Sequence, residues 1–126
     1  MIRILIADDN EVFRKRVRDL LEVDPSISVI GEASTGKEAI YYACKLEPDL
    51  VLMDVRMPIL DGIQATKILK EKLPDLKVIV LTVYNLDEYR KAACSSGADR
   101  FELKKTIYKE LVPAIHEVTG LPKIEL

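Results

Sequence analysis

The sequence predicts an α/β fold in which a parallel sheet of five strands is flanked by five helices. Short apolar runs alternate along the chain with longer segments whose apolar residues recur at helical spacing. Such alternation favours a parallel sheet covered by helices on both faces. In addition, the run from Leu50 to Met53 is apolar at every position, which is typical of an inner strand buried on both faces.

The predicted strands are short, and turn residues or helical segments bound each of them. They lie at Met1–Ala7, Ser28–Ala33, Leu50–Met53, Lys77–Thr82 and Arg100–Lys104. The second strand is more polar than the others, so we expect it at an edge of the sheet. The third is the central strand.

The helices are predicted from apolar stripes and from capping residues. Asn10 is placed to cap the first helix. The fourth helix, Leu86–Ser96, has few large apolar residues and is closed by Gly97. Pro113 lies within the fifth stripe, so that helix either begins late, near Lys109, or bends. The stripes of the first, second, third and fifth helices comprise Phe13, Val17, Leu20 and Leu21; Ala39, Ile40, Ala43 and Cys44; Ala65, Ile68, Leu69 and Leu73; and Ile107, Leu111, Ala114, Ile115 and Val118.

Composition indicates one ordinary globular domain. The 126 residues are 48% hydrophobic and 32% charged, and their formal net charge is -2, which provides no basic surface for nucleic acid. No apolar run approaches the ~20 residues of a membrane span, and none resembles a secretory signal. We therefore expect a cytoplasmic domain that contacts neither membrane nor nucleic acid. Cys44 and Cys94 are expected to be buried free thiols.

Polar side chains stand where four of the predicted strands end. Asp8 and Asp9 follow the first strand, and Asp54, Thr82 and Lys104 end the third, fourth and fifth. The carboxyl ends of parallel strands meet at one edge of the sheet, where ligands bind in such folds. If the strand order is 2-1-3-4-5, the three acids converge. Their mutual repulsion would be relieved by a divalent cation, and an all-oxygen ligand set suits Mg²⁺.

This arrangement is suited to accepting a phosphoryl group. A cation and a hydroxyl donor, Lys104 and Thr82, would lie opposite the metal and stabilise the transferring group. Asp54 is the expected nucleophile, because it alone lies between the metal pair and these two side chains. Each residue also has a simpler interpretation, since acids often cap helices and most lysines are solvated. The joint pattern favours the site.

Four segments, ILIADDN, LVLMDVRMPILDG, VIVLT and GADRFELKK, resemble the receiver domain of two-component response regulators. The resemblance covers Met1 to about Val118. It implies a flavodoxin-like fold with the strand order 2-1-3-4-5 and a receiver domain over residues 1–119. Residues 120–126 would then form a tail or the start of a linker.

The resemblance also implies roles for single residues. Asp54 would be the phosphoacceptor. The implied metal ligands are Asp9 directly, Asp8 through a water, Asp54, and the backbone carbonyl of Arg56, with Mg²⁺ as the ion and Mn²⁺ as an alternative. On the other flank the resemblance implies the switch residues Thr82 and Phe101 and the phosphate-pairing Lys104.

The implied function is a phosphorylation switch rather than an enzyme, apart from self-phosphorylation and self-dephosphorylation. The expected partners are a sensor histidine kinase and, after phosphorylation, a second copy of the chain.

The segment GADRFELKK is most similar to the NarL, FixJ and LuxR subclass, whose receivers precede a helix-turn-helix DNA-binding domain. Control of transcription is therefore expected, with a stand-alone regulator as the alternative. An aspartyl-nucleophile phosphatase of the haloacid dehalogenase type is disfavoured, because it requires Asp-x-Asp where this chain has Arg56 two residues after Asp54.

The bulky side chains Arg56 and Tyr84 are expected beside the path of a water that would attack the phosphorylated Asp54. Neither is a carboxylate or amide suited to orient that water. The sequence therefore predicts slow loss of the phosphoryl group.

Overall fold

The fold is described for residues 1–120 by a computed structural model, in which five strands form one parallel sheet. The strands are β1 (Ile2–Ala7), β2 (Ile27–Ala33), β3 (Leu50–Asp54), β4 (Lys77–Thr82) and β5 (Arg100–Leu103). Their order is β2-β1-β3-β4-β5, which confirms the predicted fold class and strand order. The polar strand β2 lies at an edge, as expected.

Helices alternate with the strands throughout the described part of the chain. They are α1 (Glu11–Glu22), α2 (Gly36–Leu46), α3 (Gly62–Lys72), α4 (Asp87–Ser95) and α5 (Ile107–Thr119), with a 3₁₀ turn at Lys104–Thr106. The side chains of Asn10, Thr35 and Asp61 each accept a hydrogen bond from a backbone N–H in the first turn of α1, α2 and α3. These caps satisfy amides that have no partner within the helix.

The helices cover the two faces of the sheet unequally. Helices α2, α3 and α4 pack on one face and contribute Ala39, Ala43, Ala65, Leu69 and Ala93 to its core. Helices α1 and α5 pack on the other face, where Val17, Leu21, Leu111 and Ile115 are buried. Strand β3 is buried at every position, as its apolar sequence predicted. Its carboxyl end therefore lies at the centre of the sheet edge.

Some expectations were wrong at the level of single residues. Helix α5 begins at Ile107 and includes Pro113, so the late start near Lys109 is not seen. Strand β5 ends at Leu103, and Lys104 begins the 3₁₀ turn. Cys44 and Cys94 are free but exposed, because their neighbours Ala43 and Ala93 occupy the buried positions of α2 and α4.

No helix within residues 1–120 is both long and apolar enough to cross a bilayer. Of the predicted tail at residues 120–126, only Gly120 belongs to the described part of the chain, where it closes α5 with a left-handed φ of 72°. The rest of that prediction lies outside the described residues.

Candidate functional site

Three acids meet at the carboxyl edge of the sheet. Asp8 and Asp9 directly follow β1, and Asp54 is the last residue of the adjacent strand β3. One carboxylate oxygen from each lies within 4.8 Å of the others. Asp8 and Asp54 are only 2% and 7% exposed, whereas Asp9 is exposed. The sequence-based prediction that these acids converge is confirmed.

Lys104 lies among the acids rather than opposite them. Its ammonium Nζ is 2.5 Å from Oδ2 of Asp8 and 3.5 Å from Oδ1 of Asp54. The closer contact to Asp8 differs from the expectation that Lys104 would face the acceptor from the far side of a metal. A buried carboxylate is costly without a counter-charge, and Lys104 supplies that charge to Asp8.

Burial of the Asp54 carboxyl raises its pKa from 3.8 to about 6. Repulsion by the Asp8 carboxylate raises the pKa further, while attraction to the Lys104 ammonium lowers it. Ionised Asp54 is therefore poorly compensated by the protein alone. Additional positive charge at this edge would stabilise it.

Asp8 is oriented by contacts that the sequence did not reveal. Its Oδ1 accepts a hydrogen bond of 2.8 Å from the backbone N–H of Asn10. Its backbone carbonyl accepts one of 2.5 Å from Nη1 of Arg14, whose Nε donates to Glu32 at 2.8 Å. Arg14 and Glu32 carry opposite charges, but the sequence alone does not pair them. Their ion pair can be predicted only once β2 is known to lie beside β1. The acids do not cap α1, since Asn10 does so.

The loop between β3 and α3 lies unusually close to Asp54. A Cβ atom on Gly62 would lie 1.8 Å from the carbonyl oxygen of Asp54, and one on Gly36 would lie 2.1 Å from that of Leu60. Only glycine permits these approaches. The backbone N–H of Gly62 also donates to the carbonyl of Val55 at 2.8 Å. Both glycines thus hold the loop against the strand that ends on Asp54.

The predicted switch residues lie on β4 and β5. Thr82 is 1% exposed, and its hydroxyl oxygen accepts a hydrogen bond of 3.2 Å from the N–H of Tyr84. Phe101 is half-buried on β5, and the guanidinium carbon of Arg90 lies 4.6 Å from the centre of its ring. Thr82 thus ends the strand next to Asp54, while Phe101 lies one strand further away.

Arg56 and Tyr84 contact each other beside the acids. Nη1 of Arg56 donates to the Tyr84 hydroxyl at 3.2 Å, and the guanidinium carbon lies 5.3 Å from the ring centre. Tyr84 in turn packs edge-on against Tyr89, with ring centres 6.0 Å apart. An open groove of about 720 Å³ runs beside this cluster and is lined in part by Asp9, Arg56 and Tyr89. The sequence did not predict the contact between Arg56 and Tyr84.

Comparison with known proteins agrees with this geometry. Residues 4–116 match the response regulator receiver domain family. The chain is 45% identical over 111 residues to the transcriptional regulatory protein YhcZ of Bacillus subtilis, covering 88% of this chain and 52% of that protein. It is 42% identical over 126 residues to the transcriptional regulatory protein LiaR of the same organism, covering 99% and 60% respectively. The chain therefore spans only about half to three fifths of these relatives.

A solved structure has the same fold. The receiver domain of the response regulator NarL from Mycobacterium tuberculosis superposes with a TM-score of 0.90 at 28% identity, covering 94% of this chain and 96% of that one. Strand order, the acidic edge and the family match over most of the length lead to the same conclusion. The chain belongs to the receiver domains of two-component response regulators.

Proposed function

We propose that Asp54 accepts a phosphoryl group from a phosphohistidine of a sensor histidine kinase. The observation that carries the proposal is the position of this carboxylate, which ends the central strand beside two further acids and the ammonium of Lys104. Asp9, by contrast, is exposed, and Asp8 is paired closely with Lys104. Asp54 is thus the acid best placed to react.

In the proposed reaction a carboxylate oxygen of Asp54 attacks the phosphorus atom in line with the leaving group. The phosphorus–nitrogen bond breaks, its electron pair remains on the imidazole nitrogen, and an aspartyl phosphate forms. Lys104, 3.5 Å from Oδ1 of Asp54, is placed to balance the charge on the phosphoryl oxygens. The hydroxyl of Thr82, on the adjacent strand, would donate a hydrogen bond to one of these oxygens.

The acidic cluster is suited to Mg²⁺, with Mn²⁺ as an alternative. Its donor set consists of carboxylate oxygens within 4.8 Å of one another, the ligand type that hard divalent cations prefer. Asp8, Asp9, Asp54 and the backbone carbonyl of Arg56 would hold the ion. When bound, it supplies positive charge that neutralises the acids and the incoming phosphoryl oxygens.

The proposed output is a change in the surface formed by α4, β5 and α5, with Thr82 and Phe101 as its switch residues. Because the matched stretches make up only 52% and 60% of two transcriptional regulators, we propose that residues 1–119 form the receiver part of a transcription factor. Its DNA-binding domain would follow, and phosphorylation would favour a homodimer. A stand-alone regulator is the alternative, and the reading frame beyond Leu126 distinguishes the two.

Incubation with acetyl phosphate and Mg²⁺, followed by intact-protein mass measurement, tests the acceptor. We expect one added phosphoryl group on the wild type and none on Asp54→Asn. Asp61→Asn is the matched control, because Asp61 lies in the same loop and asparagine preserves its cap on α3. It should be labelled like the wild type. Equal labelling of all three proteins would contradict the proposal.

A further inference from the structure

The ammonium group of Lys104 lies over an aromatic ring as well as beside the acids. Its Nζ lies 4.1 Å from the centre of the Phe13 ring. The same nitrogen contacts Asp8 at 2.5 Å and Asp54 at 3.5 Å. The Lys104 side chain is only 12% exposed. Two carboxylates and one ring face therefore surround most of this cation.

Phe13 is itself anchored to the loop that orients Asp8. The backbone N–H of Asn10 donates to Oδ1 of Asp8 at 2.8 Å, and the Asn10 side chain accepts a hydrogen bond of 3.0 Å from the N–H of Phe13. The Phe13 ring is half-buried and packs against the core beneath α1 and α5. Asp8, Asn10, Phe13 and Lys104 thus form a closed ring of contacts across two ends of the chain.

We propose that Phe13 is a positioning residue for Lys104, an inference that rests on the proposed role of Lys104 in binding phosphoryl oxygens. A ring face attracts a cation, and it excludes water from that side of the ammonium. The ring accepts no conventional hydrogen bond from the three N–H groups of the ammonium. These donors therefore remain directed at oxygen atoms. An aliphatic side chain of similar size would fill the space without the attraction.

Affinity for beryllofluoride in the presence of Mg²⁺, measured by calorimetry, provides the first test, since this anion imitates a phosphoryl group on a carboxylate. Phe13→Leu removes the ring, whereas Phe13→Tyr keeps it and serves as the rescue. We expect Phe13→Leu to weaken binding by about fivefold, the size of a partly desolvated cation–π contact, and Phe13→Tyr to stay within about twofold of the wild type. Equal affinity of Phe13→Leu and the wild type would overturn the inference.

A second measurement separates positioning from a general effect on the fold. In the Lys104→Met background, Phe13→Leu should cause no further loss of affinity, since there is no cation to position. If the full loss persists there, the effect of Phe13 is structural and the inference fails. If Lys104→Met alone leaves affinity unchanged, the proposed role of Lys104 fails instead.

The ring current of Phe13 offers a spectroscopic test of the contact in the wild-type protein. Protons on the Lys104 ε-carbon should resonate upfield of those of the other lysines, because they lie near the shielding face of the Phe13 ring. Assignment follows from loss of the signal in Lys104→Met, and Phe13→Tyr should retain the shift. A wild-type Lys104 signal at the ordinary lysine position would contradict the proposed contact.

Discussion

At the scale of single residues, the site is arranged so that the Asp54 carboxyl is costly to ionise in the protein alone. Its pKa is raised to about 6, first by burial and then by repulsion from Asp8. A raised acid pKa means that the folded state favours the protonated form more than the unfolded state does. Stability therefore falls as pH rises from the unfolded pKa toward the folded one, and the penalty is complete at neutral pH.

Asp54→Asn should accordingly stabilise the metal-free protein at pH 7. The difference between 3.8 and about 6 corresponds to a gain of up to about 3 kcal/mol in the free energy of unfolding. The gain should vanish below the unfolded pKa, where both proteins are neutral at this position. Urea unfolding with a chelator at pH 7 and at pH 3 measures both values. Unfolding midpoints that coincide at pH 7 would show that Asp54 carries no such penalty.

Contact between Arg56 and Tyr84 bears on the lifetime of the phosphorylated state. Arg56 follows Asp54 by two residues, and its side chain is joined to that of Tyr84 by a 3.2 Å hydrogen bond. Neither side chain is a carboxylate or amide suited to orient a hydrolytic water. Arg56→Asn combined with Tyr84→Glu should therefore speed self-dephosphorylation by about tenfold, below the ~100-fold lower limit for a well-placed general base.

The rate can be followed as loss of phosphoryl mass after the donor is removed. Mg²⁺ affinity should change little, because the proposed contribution of Arg56 to the metal is its backbone carbonyl. If the double variant loses its phosphoryl group no faster than the wild type, these side chains do not control the lifetime.

At the scale of elements, α4 is the helix with the weakest attachment among those described. It has nine residues, buries only Ala93, and lacks a side-chain cap at its N-terminus. By comparison, α2 and α3 each have 11 residues, a side-chain cap and at least three buried positions. Few buried contacts imply a low local free energy of opening. A switch that acts through Thr82 and Phe101 should therefore displace α4 before its neighbours.

Amide hydrogen exchange with and without beryllofluoride tests this expectation. Protection should change along Leu86–Lys104, and the amides of α2 should serve as the internal reference with little change. Identical exchange over Leu86–Lys104 in both conditions would count against a switch in this region.

At the scale of the whole molecule, local patterns in the sequence predicted the strands, and the family resemblance supplied the strand order that makes the acids converge. Apolar runs that end on Asp8 and Asp54 are local signals, and parallel topology then brings their ends to one edge. The contacts of Lys104 could not be predicted in the same way. They join residues 96 positions apart in sequence, and whether a lysine pairs with one acid or another depends on side-chain packing.

The remaining predictions were limited by how precisely a sequence pattern places each residue around its helix. Cys44 follows the buried Ala43 by one residue and is carried about 100° around the helix, so it lies in solvent rather than in the core. Phe13 was correctly placed on the apolar stripe of α1, but its proximity to Lys104 requires α1 and the turn after β5 to be seen together. Both cases show that a stripe identifies a face and not the individual contacts on it.

We propose that the receiver fold uses Asp54, and no neighbouring acid, to carry the phosphoryl group. Borohydride reduction of the protein after treatment with acetyl phosphate tests it most directly, because an aspartyl phosphate is reduced to homoserine at the labelled position. Peptide mapping by mass spectrometry should find homoserine in place of Asp54 when Mg²⁺ is present, and none when a chelator is added. Homoserine at Asp8, Asp9 or Asp61, or none with Mg²⁺, would contradict the assignment of Asp54.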